Sequence, residues 1–313
     1  MMTRYVMGRL ASGLLVLIGL SLFSFALIHV IPGDPVRIIL GDKAPKEQIG
    51  EMRERLGLNK PLVFQYVSYV SGLARGELGN SIKTGRPVLV ELTDRFPATA
   101  KLAVTGMGIA VLLGIVTGII AAKWKDTWID HAIASMASLG LSLPSFWFGL
   151  LMIMVFAVHL QWFPVAGGTG LTDLILPGLT LGLLASTMIS RLTRSGMIEV
   201  LNHDYIRTAR AKGMSEPIVL YRHAFRNVMI PIVTIVGLQL ATLLGGAIII
   251  EQVFNWPGIG TLAIDAIASR DFPLIQGIIM FMGFVYVTVN ILVDLLYGLL
   301  DPRIEQHLEK AGG

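Results

Sequence analysis

Six stretches of this chain run without a single Asp, Glu, Lys or Arg for close to the length a helix needs to cross a bilayer: 10–31, 102–122, 132–158, 174–190, 228–250 and 274–293. Crossing the hydrocarbon takes about 20 mostly apolar residues, so each run is read as one transmembrane helix. The fourth run is the shortest and contains Pro177, but it stays uncharged up to Arg191, whose long side chain can snorkel to the headgroups. The composition agrees: 54% hydrophobic and only 15% charged residues are too apolar a mixture for an ordinary soluble domain.

The first run has the position of a signal peptide, with Arg4 and Arg9 ahead of it. It is longer than a typical signal core and no small-x-small cleavage pattern precedes "HVIPGDP", so a retained anchor is expected. The shorter apolar patch at 62–73 repeats large residues at helical spacing (Leu62, Tyr66, Val70, Leu73), as an interfacial or packed helix would.

Orientation follows from Lys and Arg close to the spans. Arg4, Arg9, Lys123, Lys125, Arg191, Arg194, Arg207, Arg210, Lys212, Arg222, Arg226, Arg303 and Lys310 all fall on one side, whereas the short loops on the other side carry only Arg270. Both termini are therefore expected in the cytoplasm, with residues 32–100 as an extracytoplasmic region and 101–313 as a five-helix core. The net charge is only +4 and is explained by this asymmetry, so nucleic acid is not an expected partner. No cysteine is present, which removes disulfides and thiolate chemistry. The histidines form no H-E-x-x-H pair, and His29, His131 and His159 lie near different membrane ends, so no metal site is expected.

The longest cytoplasmic interruption, about 194–228, has a helical pattern of its own. Ile198, Leu201, Tyr205, Ala209 and Lys212 recur every three or four residues, Gly213 suits a left-handed helix end, and Ser215 suits the cap of a second helix with Glu216 and Pro217 in its first turn. Pro231 then marks re-entry into the membrane. A basic loop that merely holds anionic lipid needs no glycine at a fixed break, whereas a docking element for a cytoplasmic protein needs a defined turn.

These residues carry a resemblance. "DYIRTARAKG" followed by "RHAFRNVMIP" resembles the cytoplasmic EAA-type loop of binding-protein-dependent ABC importer permeases, in the branch that handles dipeptides, oligopeptides, glutathione and nickel. The likeness continues through "HVIPGDP", "LGLNKPLVFQYVSYVSGLARGELGNS", "LSLPSFWFG", "LQWFPVAGG", "RLTRSGMIEVL", "EQVFNWPGIG", "RDFPLIQG" and "LLDPRI", in order along the whole chain. Two features depart from the generic pattern: Arg207, Thr208 and Ala209 stand where other importers have Glu-Ala-Ala, and Pro231 lies farther from Gly213. Both resemble the peptide and nickel branch.

The resemblance implies an all-α, six-helix permease of the type I ABC importer fold in a bacterial or archaeal plasma (inner) membrane. It would work with a second homologous permease, two cytoplasmic ATPases that use ATP and Mg, an extracytoplasmic solute-binding protein and membrane lipid. The coupling residues it implies are Asp204, Tyr205, Arg207, Thr208, Ala209, Arg210, Lys212, Gly213, His223, Arg226, Asn227 and Pro231. Independently, no G-x-x-x-x-G-K-[ST] occurs, so ATP is expected to be hydrolysed by partners and no cofactor bound by this chain.

Five further residues are candidates for the pathway or its gates. Pro144 and Trp147 suit a kink in the third span. Glu251 ends the fifth and is either a gate or a carboxylate solvated at the membrane boundary. Asn290 and Asp294 share a stripe of the sixth helix with Tyr297 and Asp301, and Asp294 is expected to pair with an arginine of the elbow. The alternatives are a nickel or metal-chelate importer of the same branch, an intramembrane enzyme, for which no G-x-S-x-G is present, and a secondary transporter, for which no internal repeat is seen.

Overall fold

Two glycine-bearing helices packed almost backbone to backbone form the centre of the molecule. They are seen in a computed structural model that describes residues 2–30, 36, 44–55, 59–165, 167–168, 170–244 and 247–300. In chain order the helices are α1 (Met2–Val30), α2 (Lys46–Arg55), α3 (Leu62–Ala74), α4 (Val88–Lys123), α5 (Trp128–Ser142), α6 (Ser145–His159), α7 (Leu171–Leu201), α8 (Asp204–Ala211), α9 (Glu216–Leu244), α10 (Ile248–Val253), α11 (Ile259–Ala268) and α12 (Phe272–Leu300). Among the described residues the sole β feature is an isolated bridge between Asn80 and Pro87.

The central pair is α4 and α7. A Cβ on Gly118 would stand 2.5 Å from Thr193 Cβ, and one on Gly114 would stand 2.7 Å from Ile189 Cβ. The two G-x-x-x-G pairs, Gly114 with Gly118 and Gly178 with Gly182, thus let the helices meet at a separation that any side chain would forbid. Around them α9 packs on α4, α7 and α12, and α1 lies outermost against α12. α3 has no buried residue but is tied to α1, where Tyr66 and Tyr69 share hydrogen bonds with Ser21 and Ser24 at 2.8 and 2.9 Å. With Leu62, Val63, Phe64 and Val67 exposed, it has the character of the interfacial helix expected from the spacing.

Five helices are long and apolar enough to cross a membrane singly, and a sixth crossing is made by α5 and α6 only if the bent pair counts as one span. The third apolar run is therefore not one helix: its halves meet at 109°. Pro144 has no N–H to continue α5 and forces Leu143 out of the helical region, to φ −79° and ψ 129°. The fifth run also divides, since α9 ends at Leu244 and α10 is a separate short helix. Elsewhere the helices outrun the apolar stretches: α4 has 36 residues and α7 has 31, so at 1.5 Å per residue both project well beyond the hydrocarbon.

Candidate functional site

The polar interruption between the fourth and fifth spans folds into an elbow, but not quite as two free short helices. α7 continues to Leu201 and stops where Asn202 turns its side-chain amide back onto the Ile198 carbonyl at 2.9 Å. His203 then takes an extended conformation, and α8 starts at Asp204, so the regular spacing from Ile198 to Lys212 spans two helices. α8 is bounded by Gly213 at φ +77°, the left-handed conformation expected of it. The Gly213 N–H donates to the Arg210 carbonyl and the Met214 N–H to the Ala209 carbonyl, at 2.9 and 3.3 Å.

Beyond the turn, Ser215 occupies the cap position without using its hydroxyl as a cap, contrary to expectation. Glu216 instead meets Arg210 across the turn, 2.9 Å from its Nη2. The second arm is no independent helix: it is the beginning of α9, π-helical over Val219–Ala224 and continuous to Leu244. Pro231 accordingly lies inside this helix rather than at its start.

The elbow has one apolar face and one polar face. Ile206, Ala209, Val219, Leu220 and Ala224 are buried in a cluster shared with Ile119 and Ala122 of α4 and with Ile189 and Met197 of α7. The Asn227 amide donates to the Tyr205 hydroxyl at 2.8 Å and to the His223 carbonyl at 3.0 Å, fastening α8 to α9, and Tyr205 stacks on His203. Residues 210–218 are exposed without interruption, as are Asp204, Arg207, Thr208 and Arg226. Among the described residues Arg207 reaches only Asp204, at 3.7 Å, with both side chains largely in solvent. A knuckle that is stiffly rooted and fully exposed at its tip can transmit a push or a pull to the membrane helices.

The remaining sequence candidates are scattered. Pro144 sits at the α5–α6 bend and Trp147 is partly exposed just after it. Asn290 spends its amide on the Tyr286 carbonyl of its own helix. Asp294 pairs not with an elbow arginine but with Arg9 of α1, at 3.1 Å, because α1 is the helix that lies against that face of α12. Asp301 lies outside the described residues, as does the side chain of Tyr297.

Glu251 is not solvated. It is wholly buried at the outer end, where Oε1 accepts from the Thr99 hydroxyl at 2.7 Å and Oε2 accepts from the Gly260 and Thr261 N–H groups at 2.7 and 3.2 Å. A Cβ on Gly258 or Gly260 would overlap its carboxylate, so the glycines of "NWPGIG" make room for it. Trp256 is buried too, donating from Nε1 to the Ala98 carbonyl at 2.9 Å, rather than lying in the interface as its type suggests. Together they tie the α10–α11 segment to α4. Nearby, Asp271 accepts from the Ser81 hydroxyl and from the backbone N–H groups of Lys83 and Leu274, holding the 81–84 turn to the start of α12.

At the inner end the sequence reading missed a contact that closes the body above the elbow. Arg194 of α7 donates from Nε and Nη2 to the two oxygens of buried Asp130 in α5, at 2.5 and 2.6 Å. Its sequence signal is an acid in the first turn of an apolar run and an arginine at the end of the next, too common a pattern to pair by spacing alone.

Set beside known proteins, the sequence that builds this helical body and its exposed elbow matches a described family. Residues 114–306 fit the "binding-protein-dependent transport system inner membrane component" model, and residues 2–103 fit the model of the N-terminal part of such components. The chain belongs to this family of transporter permeases. It is 43% identical over 303 residues to the glutathione transport system permease protein GsiC of Escherichia coli (strain K12), covering 97% of this chain and 99% of that one. To the dipeptide transport system permease protein DppB of Alkalihalophilus pseudofirmus it is 41% identical over 332 residues, covering 97% and 100%. Among solved structures, an inward-facing MetNI methionine ABC transporter matches 67% of this permease and 96% of its own chain with a TM-score of 0.57 at 14% identity, a likeness of fold alone. The permease is thus a multi-pass, non-catalytic inner-membrane component of an ABC transporter, and its family implies ATPase and binding-protein partners.

Proposed function

We propose that this permease supplies half of the pathway through which an ATP-driven importer moves small peptides, of dipeptide, oligopeptide or glutathione type, into the cell. Near-complete alignment with permeases named for glutathione and dipeptide transport supports the substrate class. The second half would be a homologous permease. Two cytoplasmic ATPases would bind ATP and Mg, and a solute-binding protein would deliver the peptide on the side of the stapled loops.

The observation that carries the coupling reading is the elbow: an apolar root in the membrane body and an exposed tip whose turn is set by Gly213 and bridged by Arg210 and Glu216. ATP-driven approach of the ATPases would draw the tips of two such elbows together and rock the bundles between inward-facing and outward-facing states. Copurification of the ATPases with elbow variants at equal membrane abundance tests this. Loss should depend on position, with Arg207→Ala and Arg210→Ala weaker binders than Lys125→Ala. Equal loss on removal of any inner-side cation would return the elbow to the role of a lipid-facing loop. Uptake of labelled dipeptide and of glutathione by the reconstituted complex tests the substrate class, and uptake of neither with ready uptake of a nickel chelate would overturn it.

A further inference from the structure

Between α5 and α7, on the cytoplasmic half of the body, runs a groove whose two ends differ in chemistry. Its inner end is an open cavity of about 530 Å³ bordered by Ser138, Ser190, Arg191, Arg194 and Ser195. Sharing Ile133, Ala137 and Ser190 with it, a second cavity of about 400 Å³ runs deeper, lined by Leu113, Met136, Leu139, Leu143, Phe148 and Leu183. From Ser190 to Leu183 is about two turns of α7, or roughly 10 Å along the helix axis.

The charge at the mouth comes from Arg191. The Arg194 guanidinium is neutralised by Asp130, whereas exposed Arg191 has no acidic partner among the described residues. In the deep cavity the threonine and serine hydroxyls are already committed: Thr117 donates to the Leu113 carbonyl with its oxygen 2.9 Å from the Ser190 hydroxyl, Ser186 donates to the Leu183 carbonyl, and Thr187 to the Leu184 carbonyl. Beyond Ser190 at its inner boundary, the deep end therefore offers carbon and no unspent side-chain donor, which suits a hydrocarbon chain and not the amide groups of a peptide. A cation at the inner membrane level above an apolar slot is the complement of an amphiphile whose negative head faces the cytoplasm.

We propose that this groove binds an anionic phospholipid of the cytoplasmic leaflet, with its phosphate on Arg191 and an acyl chain in the slot between α5 and α7. A seated chain would fill the space beside the close contact of Gly140 with Thr187 and so govern how far α5 can move on α7 as the body rocks.

The test uses the importer assembled with its partner subunits in nanodiscs, doped with phosphatidylglycerol or phosphatidylcholine carrying a photoactivatable diazirine in the acyl chain. Phosphatidylglycerol should label peptides of α5 and α7 at least several-fold more than phosphatidylcholine does. Arg191→Gln should abolish that preference, Met136→Trp, which fills the slot from an exposed position, should lower labelling by both lipids, and Lys125→Gln should change neither. Excess inorganic phosphate should not compete. Equal labelling by the two lipids, a preference that survives Arg191→Gln, or displacement by phosphate would overturn the proposal. So would absence of label on α5 and α7, including the case in which Ser138→Cys cross-links to the second permease and shows that a protein fills the groove. None of these outcomes depends on which peptide the importer carries.

Discussion

Gly213 and Glu251 are each held by one dominant physical constraint. At Gly213 the space around a Cβ is empty, so the backbone alone resists substitution: Gly213→Val places a β-branched residue at φ +77° at a cost of about 1–2 kcal/mol. The expected result is normal insertion with reduced ATPase copurification, and full recovery of the ATPase would count against a defined docking turn. Glu251 is constrained by its surroundings. Glu251→Leu leaves the Thr99 hydroxyl and two N–H groups unpaired and should cost about 1–3 kcal/mol or more, read as a lower melting point in detergent. Glu251→Gln, which keeps one carbonyl acceptor for these donors, should lower the melting point less than Glu251→Leu does, and equal losses would show that the hydrogen bonds are not what holds the segment.

Among the elements, α4 and α9 differ most from the apolar runs inside them. Hydropathy marks the part of a helix that needs lipid, whereas hydrogen bonding and packing decide how far it continues. α4 starts at Val88, and its outer turns are buried by α11 and α12 through Val88, Leu92, Ile259 and Leu274. α9 starts at Glu216 because Val219, Leu220 and Ala224 pack into the body before the apolar run begins. The positive-inside assignment puts Lys60, which is exposed ahead of α3, outside the cell, and Lys212 at the elbow inside. Since the chain has no cysteine, Lys60→Cys should react with an impermeant thiol reagent on intact spheroplasts, and Lys212→Cys only after permeabilisation. The reverse pattern would invert the topology and remove the elbow from the ATPase side.

As a whole molecule the permease is an incomplete machine. It carries no phosphate-binding loop motif, and its exposed surface includes large apolar side chains along α1, α4 and α5, such as Leu14, Leu15, Leu112 and Met136, which lipid or a partner must cover. The purified chain should show no ATP hydrolysis above background. Assembly with its ATPases, its binding protein and the proposed partner permease should give hydrolysis and ATP-dependent uptake together, with uptake lost and hydrolysis weakened by Gly213→Val. Robust hydrolysis by the isolated chain would contradict the assignment of ATP chemistry to partners.

By itself the sequence determined the number and rough position of the apolar runs, the side on which the cations gather, the left-handed turn at Gly213 and the family. Each follows from a local property: uncharged length, charge next to a span, the missing Cβ, or an ordered series of short motifs. Tertiary structure decided the rest. It bent the third run at Pro144, made the second elbow arm part of α9, and paired Asp294 with Arg9 and Asp130 with Arg194. It also buried Glu251 beneath glycines that look, in sequence, like an ordinary turn. These outcomes depend on which helix lies beside which face, and a charge's partner is chosen by that neighbour, often from more than 60 residues away, as with Asp130 and Arg194.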